Sequence, residues 1–366
     1  MQPVHKVVII GLGLIGGSLG LAWKRVGAVE EVIGVDNNIE ACRRAEQLGA
    51  VHLATTDISK AVKDAQVIIL AVPVEKMIGL AKVIVRNMPE NCIVSDVGST
   101  KSGVVKSLNE IFAKKGVYIG GHPMAGSEVA GIEGADPYLF ENAAYILTPD
   151  QEETLAFETI SYLIENLGAK KMVMSPLEHD KIVAAVSHLP HVVAAALVNT
   201  VGDVEKEWAR TLMLAAGGFR DTTRIASGSP DLWQGICITN KEHLISVIDL
   251  LQNNLALFKN SLLNDGLHKI EDFFVKARDT RENIPAKRRG FLPQVFDLVV
   301  IVPDEPGVIG SLAQLLGQQN INIADIEILR VREGEGGTIR LGVQSYDAMD
   351  KAVVLLEKEG YSVRKL

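Results

Sequence analysis

Val7-Val8-Ile9-Ile10 leads directly into Gly11-Leu12-Gly13-Leu14-Ile15-Gly16-Gly17-Ser18 near the start of the chain. An apolar run of this kind predicts a buried strand, and the spacing G-x-G-x-x-G between a strand and a helix is typical of a dinucleotide-binding loop. In such a loop Gly11 allows a tight turn, Gly13 lets the backbone approach a pyrophosphate, and Gly16 lets the helix pack closely on the strand. The stretch therefore predicts a Rossmann-type, doubly wound α/β sheet that binds a dinucleotide.

The next apolar run, Val32-Ile33-Gly34-Val35, ends at a carboxylate that indicates which dinucleotide is bound. Asp36 stands where such folds place an acidic residue for the ribose hydroxyls, and no basic residue follows it directly. A carboxylate there would repel the extra phosphate of NADP. We therefore predict NAD, with its phosphates at the positive end of the helix that Leu14 and Ile15 begin.

Residues 1–174 alternate short apolar runs with helical patterns. This alternation predicts a mainly parallel sheet with helices on both faces, which binds ligands beyond the carboxyl ends of its strands. Val72 and Pro73 follow one such end and are predicted to contact the cofactor. Strands are expected at 4–10, 32–35, 67–72, 92–96, 117–120 and 144–147, and helices between them at 14–27, 38–48, 74–87 and 101–115.

Residues 175–283 show helical periodicity without strand-like runs, with helices expected at 176–200, 204–216, 230–263 and 267–280. This pattern predicts a separate helical domain that forms the core of a homodimer and closes over the nucleotide-binding sheet. Its most apolar stretch, 182–201, contains two histidines, a proline and an asparagine. A helix buried between domains or subunits is therefore expected rather than a membrane span.

The C-terminal part of the chain has a different order of elements. Residues 284–290 contain a proline and the basic run Lys287-Arg288-Arg289, which predicts a solvated linker over 284–294. Residues 295–366 then predict a β-α-β-β-α-β unit of the ferredoxin-like type. Its strands are expected at 296–302, 323–331, 337–343 and 361–364, and its helices at 307–319 and 348–358.

Composition argues against several classes of function. The chain of 366 residues carries a net charge of −8 and has no basic stripe, which argues against a nucleic-acid partner. Its three cysteines, Cys42, Cys92 and Cys237, are far apart and form no metal-type spacing. We therefore expect reduced thiols, a cytoplasmic location and no bound metal.

A further set of motifs, taken in order, resembles the prephenate dehydrogenase (TyrA) family with a C-terminal ACT domain. The motifs are the glycine loop at 11–18, Asp-Val-Gly-Ser-Thr-Lys at 96–101, Gly-His-Pro-Met-Ala-Gly-Ser-Glu at 121–128, Ser-His-Leu-Pro-His at 187–191, Gly-Gly-Phe-Arg-Asp-Thr-Thr-Arg at 217–224, and Asp304-x-Pro306-Gly307-x-x-Gly310. The resemblance covers essentially the whole chain. It implies NAD-dependent oxidative decarboxylation of prephenate to 4-hydroxyphenylpyruvate, a step of tyrosine biosynthesis.

The resemblance assigns the chemistry to two residues that follow neighbouring strands. His122 would accept the proton of the substrate hydroxyl, a role that suits an imidazole near neutral pH. Ser99 would contact that hydroxyl and orient His122. A serine in this position is also expected to cap the helix that follows it.

The resemblance places substrate-binding side chains in the helical domain. Arg224 would bind a substrate carboxylate, held in place by Asp221 three residues earlier on the same helix face. A plain surface ion pair is the alternative for these two residues. His191 would reach the substrate side chain with His188 nearby, or else be a core histidine. A metal site at this pair is not expected, because the sequence offers no third ligand.

The loop that follows His122 supplies two further substrate-binding candidates. Ser127 and Glu128 end the motif at 121–128. By resemblance Glu128 forms an ionic gate with Arg224. On sequence alone it is a loop carboxylate.

The C-terminal unit indicates regulation. ACT domains often bind amino acids where paired domains meet, and Gly307 and Gly310 would let a ligand approach the backbone at a helix start. We predict feedback inhibition by tyrosine, with Asp304 and Asn322 near the bound effector.

Three alternative functions stay open at this point. An arogenate dehydrogenase would share the fold, the cofactor and His122. A 3-hydroxyacid dehydrogenase would use a lysine in the helical domain, where this chain offers two histidines and Arg224. A non-enzymatic amino-acid sensor that binds NAD structurally would have no need of His122, Ser99 and Arg224 together.

Overall fold

The computed structural model describes residues 2–126, 129, 131–264, 266–283, 296–303, 305–329 and 337–365. Of the predicted site residues, Ser127, Glu128 and Asp304 lie outside the described residues, as does the predicted linker at 284–294. The chain forms two compact units, residues 1–275 and 276–366.

An eight-stranded sheet forms the first part of the larger unit. Its strands are β1 (Val4–Ile10), β2 (Val29–Val35), β3 (Leu53–Thr55), β4 (Val67–Leu70), β5 (Cys92–Asp96), β6 (Gly116–Pro123), β7 (Ala144–Thr148) and β8 (Lys170–Val173). They lie in the order β3-β2-β1-β4-β5-β6-β7-β8, and only β6 and β7 pair antiparallel. The first six strands have the Rossmann order, in which the direction of winding reverses between β1 and β4.

Six helices cover this sheet on both faces. They are α1 (Leu14–Val26), α2 (Ile39–Gln47), α3 (Ile58–Ala61), α4 (Val74–Asn87), α5 (Ser102–Phe112) and α6 (Leu155–Glu165). In β1, Val7 and Ile9 join the apolar layer under α1, α2 and α6, whereas Val8 and Ile10 join the layer under α4 and α5. Burial on both faces explains why β1 is a continuous apolar run.

The sequence prediction missed β3, β8, α3 and α6. The two missed strands lie at the ends of the sheet and are three and four residues long. Seven of the eleven residues of α6 are buried, so its pattern lacks the polar face that marks a surface helix.

The second part of the larger unit is helical. α7 (Pro176–Val183) continues through a π-helical turn (Ala184–His188) into α8 (Leu189–Glu207), and α9 (Gly217–Thr223), α10 (Pro230–Thr239) and α11 (Lys241–Leu263) follow. α12 (Leu267–Glu282) begins in this unit. The helix predicted at 204–216 is wrong. The Glu205 carboxylate accepts the N–H groups of Arg210 and Leu212, and Arg210 has a φ of 92°, so the chain turns away after α8.

Among the residues that the structure describes, the longest apolar helical stretch is exposed in a single copy. Pro176–Glu207 is long and apolar enough to cross a membrane by length and composition, and its most apolar window is 22% buried. Exposed leucines continue along α11, at Leu250, Leu255 and Leu257. Exposed apolar surface of this extent marks a surface of association. We therefore still expect this stretch to be buried between domains or subunits.

The smaller unit contains a four-stranded antiparallel sheet. Its elements are β9 (Phe296–Val302), α13 (Val308–Gln318), β10 (Ile323–Leu329), β11 (Gly337–Val343), α14 (Tyr346–Lys358) and β12 (Ser362–Lys365). The strands lie in the order β10-β11-β9-β12, and Leu298, Leu341, Leu312 and Leu356 are fully buried between the sheet and the helices. The predicted ferredoxin-like order is confirmed.

Candidate active site

The glycine loop lies between β1 and α1, where the winding of the sheet reverses. Gly11 has a φ of +101°, and a side chain there would overlap the carbonyl of Ala71. A side chain at Gly16 would overlap the carbonyl of Gly11, so α1 packs directly on the loop. The space beside Gly13 is open. The three glycines thus have the geometry that a pyrophosphate-binding loop requires.

Asp36 follows β2 beside this loop. Its carboxylate accepts the N–H of Leu12 at Oδ2 (2.8 Å) and the N–H of Asn38 at Oδ1 (2.9 Å). The two backbone donors fix the direction of the carboxylate, and each oxygen keeps a lone pair for a ribose hydroxyl. Val72 and Pro73 connect β4 to α4 next to the glycine loop, and Val72 packs against it.

His122 lies near the carboxyl end of β6, and its side chain is buried. Its Nδ1 is 2.7 Å from Nε2 of His179, a residue of α7. Burial lowers the pKa of His122 well below its usual range, and nearby Lys101, His179 and His188 lower it further. The imidazole is therefore neutral at neutral pH and can accept a proton.

Asp180 extends the contact that begins at His122. Its Oδ1 is 2.7 Å from Nδ1 of His179, and its two oxygens accept the N–H groups of Lys101 (2.8 Å) and Ser102 (2.7 Å). Burial would raise the pKa of Asp180, but the hydrogen bonds from His179, Ser102 and Lys101 outweigh burial and lower it. Asp180 is thus an ionised carboxylate at the positive end of α5.

Ser99 lies in the loop between β5 and α5 and is half-buried. The prediction that it caps α5 is wrong, because the Asp180 carboxylate takes the first N–H groups of that helix. β5 and β6 are neighbours in the sheet, so Ser99 and His122 follow adjacent strands as predicted.

A buried ion pair connects the ends of these two strands. Lys101 Nζ lies 2.6 Å from Asp96 Oδ2, and both side chains are completely buried. Asp96 also accepts the N–H groups of Gly98 and Gly121 and the hydroxyl of Tyr118. Gly98 directly precedes the candidate serine, and Gly121 directly precedes the candidate histidine. A single carboxylate therefore fixes both loops of the site.

Aromatic stacking orders the histidines of the helical part. The rings of His191 in α8 and Trp233 in α10 stack with centroids 3.8 Å apart and planes 30° apart. His188 meets Trp233 edge-on at 6.1 Å and is 1% exposed. The two histidines thus lie against one indole ring, which the sequence did not indicate.

His188 ends the π-helical turn, an irregularity that is frequent at functional sites. Burial lowers the pKa of His188 to about 4, so the ring is neutral at neutral pH. Its Nδ1 is 3.1 Å from the amide nitrogen of Asn240, and its Nε2 has no partner among the residues that the structure describes. Since the amide donates to Nδ1, the unpaired Nε2 carries the proton and is a buried donor.

Arg224 begins an exposed 3₁₀ turn directly after α9. Arg224 is the C-cap of α9 and keeps helical dihedral angles, with φ −49° and ψ −43°. The support of Arg224 by Asp221 stays a prediction.

Three family models match the chain in the order of its parts. They are described as prephenate dehydrogenase, nucleotide-binding domain (residues 19–173), prephenate dehydrogenase, dimerization domain (residues 175–275), and ACT domain (residues 296–350). The prephenate dehydrogenase of Bacillus subtilis is 36% identical over 358 residues, which are 97% of this chain and 96% of that protein. The chain belongs to the prephenate dehydrogenase family.

Solved structures of similar proteins share the fold. The prephenate dehydrogenase of Aquifex aeolicus, crystallised with hydroxyphenyl propionate and NAD+, is 30% identical with a TM-score of 0.72, over 77% of this chain and 98% of its own. The arogenate dehydrogenase of Synechocystis is 30% identical with a TM-score of 0.65, over 76% of this chain and 99% of its own. The predicted fold and the predicted oxidoreductase class are confirmed. The family match favours this class over a sensor and over a 3-hydroxyacid dehydrogenase.

The ACT domain of this prephenate dehydrogenase family member contains a cavity of about 420 Å³. Gly307 and Gly310 line it at the start of α13, and Ile328 and Ile339 line it from the sheet. Gly307 has a φ of 95°, so the turn into α13 favours glycine. Asn322 is not among the lining residues, and the structure does not bring it to this cavity.

His179, Asp180 and Trp233 are site residues that sequence reasoning missed. The available signal was the His179-Asp180 pair directly after the helix start at Ser175-Pro176. His179 lies 57 positions after His122 in the chain, and Asp180 follows it directly. No local spacing therefore connects this pair with His122.

Proposed function

We propose that the chain oxidises prephenate with NAD and releases carbon dioxide, which gives 4-hydroxyphenylpyruvate for tyrosine biosynthesis in the cytoplasm. The observation that carries the proposal is His122, a buried neutral imidazole at a strand end of the nucleotide-binding sheet. A neutral imidazole in that position can accept the proton of an alcohol while the carbon loses hydride. Similarity to a prephenate dehydrogenase over nearly the full length supports the substrate.

The residues of the glycine loop fit NAD. When bound, NAD supplies the acceptor for the hydride. The open space at Gly13 and the first N–H groups of α1, at Leu14 and Ile15, suit the pyrophosphate. Asp36, held by two backbone donors, suits the ribose hydroxyls and would repel a phosphate in their place. Val72 and Pro73 would line the other side of the nucleotide.

The chemistry follows from the structure of prephenate, a secondary alcohol across a ring from a quaternary carboxylate. His122 takes the proton of the substrate hydroxyl. At the same time the carbinol carbon gives up its hydrogen, together with the C–H electron pair, as hydride. Ser99 orients the hydroxyl towards His122. The new carbonyl draws electrons from the C–C bond to the carboxylate, and that bond breaks with release of carbon dioxide. The ring becomes aromatic, and His122 returns the proton to the phenolate oxygen.

The helical part would hold the carboxylates of the substrate. Arg224 is exposed at the end of α9, and a guanidinium can bind a carboxylate through two hydrogen bonds. His191, held by its stack on Trp233, would contact the substrate side chain. The buried Nε2–H of His188 is a donor that a substrate oxygen can satisfy. Roles for Ser127 and Glu128 rest on the family resemblance alone.

Arogenate is the second candidate substrate, because a similar protein of Synechocystis is an arogenate dehydrogenase. It differs from prephenate by an amino group in place of a keto group. A test mixes the purified protein with either substrate and either NAD or NADP and follows the absorbance of the reduced cofactor. We expect turnover with prephenate and NAD. Turnover with arogenate alone would select the second candidate, and no turnover with either would contradict both.

We further propose a homodimer formed by the helical domain and feedback inhibition by tyrosine. The family's dimerization domain and the exposed apolar residues of α8 and α11 support the dimer. The cavity beside Gly307 and Gly310 supports an amino-acid site in the ACT domain. Removal of residues 291–366 is expected to abolish inhibition by tyrosine. An unchanged inhibition curve would contradict this role of the domain.

A further inference from the structure

The contact between His122 and His179 has a direction that Asp180 determines. Asp180 is ionised, so its Oδ1 can only accept a hydrogen bond from Nδ1 of His179. In the form of His179 that carries a single N–H, that proton lies on Nδ1 and Nε2 is an acceptor. Nδ1 of His122 then donates across the 2.7 Å contact.

This direction leaves the lone pair of His122 on Nε2, away from the protein network. On the basis of the proposed function, we infer that Asp180 and His179 are positioning residues that hold His122 in the tautomer that accepts the proton of the substrate hydroxyl. His179 also provides a path for the positive charge. As the substrate O–H bond breaks and the Nε2–H bond of His122 forms, the Nδ1 proton of His122 passes to Nε2 of His179.

The surroundings favour this second transfer. His179 is completely buried and Asp180 is 1% exposed, so the attraction between an imidazolium and the carboxylate is little screened. The charge of Lys101, at the start of α5, is paired with Asp96. Asn240 donates to the backbone carbonyl of Asp180 at 2.8 Å and fixes the backbone of that residue.

Asp180 has two possible roles: it caps the start of α5, and it positions His122 through His179. Capping α5 would not by itself fix which nitrogen of His122 carries the proton. The tautomer is therefore the readout that decides between the two roles, and it can be measured in the unmodified protein.

The first experiment records nitrogen NMR spectra of the full-length protein labelled in its histidines, with His122 assigned through His122→Gln. We expect the proton of His122 on Nδ1 and an unprotonated Nε2. A proton on Nε2 would overturn the inference. This measurement requires no turnover, so it stands even if the protein fails to oxidise prephenate and the proposed function falls.

The second experiment compares Asp180→Asn and His179→Gln, with His52→Gln as a matched histidine change far from the site. Asp180→Asn removes the buried carboxylate charge that would stabilise the imidazolium of His179, so kcat with prephenate should fall on the order of 10³-fold while KM changes less than about threefold. In His179→Gln the new side-chain carbonyl can still accept from His122, so that variant should lose only about 10- to 100-fold. A kcat of Asp180→Asn within about tenfold of the wild type would overturn the inference. So would a loss of the same size in His52→Gln.

Discussion

Removal of the Lys101 charge would weaken both loops of the active site. Lys101→Met leaves the Asp96 carboxylate completely buried without its cation, which lies at 2.6 Å. Breaking a buried pair on one side costs about 3–5 kcal/mol. The N–H groups of Gly98 and Gly121, which donate to Asp96, report this loss directly. Their opening should become roughly 10²- to 4 × 10³-fold more frequent, because about 1.4 kcal/mol is a factor of ten.

Hydrogen exchange followed by mass spectrometry of the peptides that contain Gly98 and Gly121 measures this change. Lys60→Met is the matched control, since Lys60 pairs with Asp57 on the surface with its side chain 80% exposed. Such a pair contributes less than about 1 kcal/mol. The double variant Asp96→Asn with Lys101→Met should recover part of the protection, because no uncompensated charge remains. Equal exchange in Lys101→Met and Lys60→Met would refute the reasoning.

Three further predictions concern the cofactor, the pH profile and the assembly. Asp36→Ser should lower the preference for NAD over NADP, measured as the ratio of kcat/KM values, at least about tenfold, and an unchanged ratio would contradict the role of this carboxylate. The lowered pKa of His122 keeps its basic form present below its usual range, so kcat/KM should stay level as pH falls through about 6.5 and decline only at lower pH. A decline centred near pH 6.5 would count against the buried base. Leu257→Glu, on the exposed face of α11, should give a monomer in light scattering, whereas Leu53→Glu in β3 should leave the dimer intact. A dimer in both variants would place the interface elsewhere.

Local patterns were sufficient for the elements that carry the nucleotide. The continuous apolar run of β1, the glycine spacing and Asp36 each follow from what a buried parallel strand and a pyrophosphate require of neighbouring residues. Ser99 and His122 became candidates because each follows a strand end and lies in a motif that resembles the family. Each of these signals can be read from a short stretch of sequence.

The side chains that hold the site residues in place could not be predicted from local patterns, because they lie far from those residues in the sequence. Asp180 takes the helix start that a local rule gives to Ser99, and it does so from 79 positions away. The predicted helix at 204–216 failed because the Glu205 carboxylate binds backbone groups beyond the end of α8.

The measurement that tests the central claim most directly is the turnover of His122→Asn with prephenate and NAD. If His122 is the proton acceptor, kcat should fall by about 10²- to 10⁴-fold, while binding of NAD and of a substrate analogue stays within about threefold of the wild type. A kcat within about tenfold of the wild type, with binding intact, would contradict the assignment of His122 as the base of this enzyme.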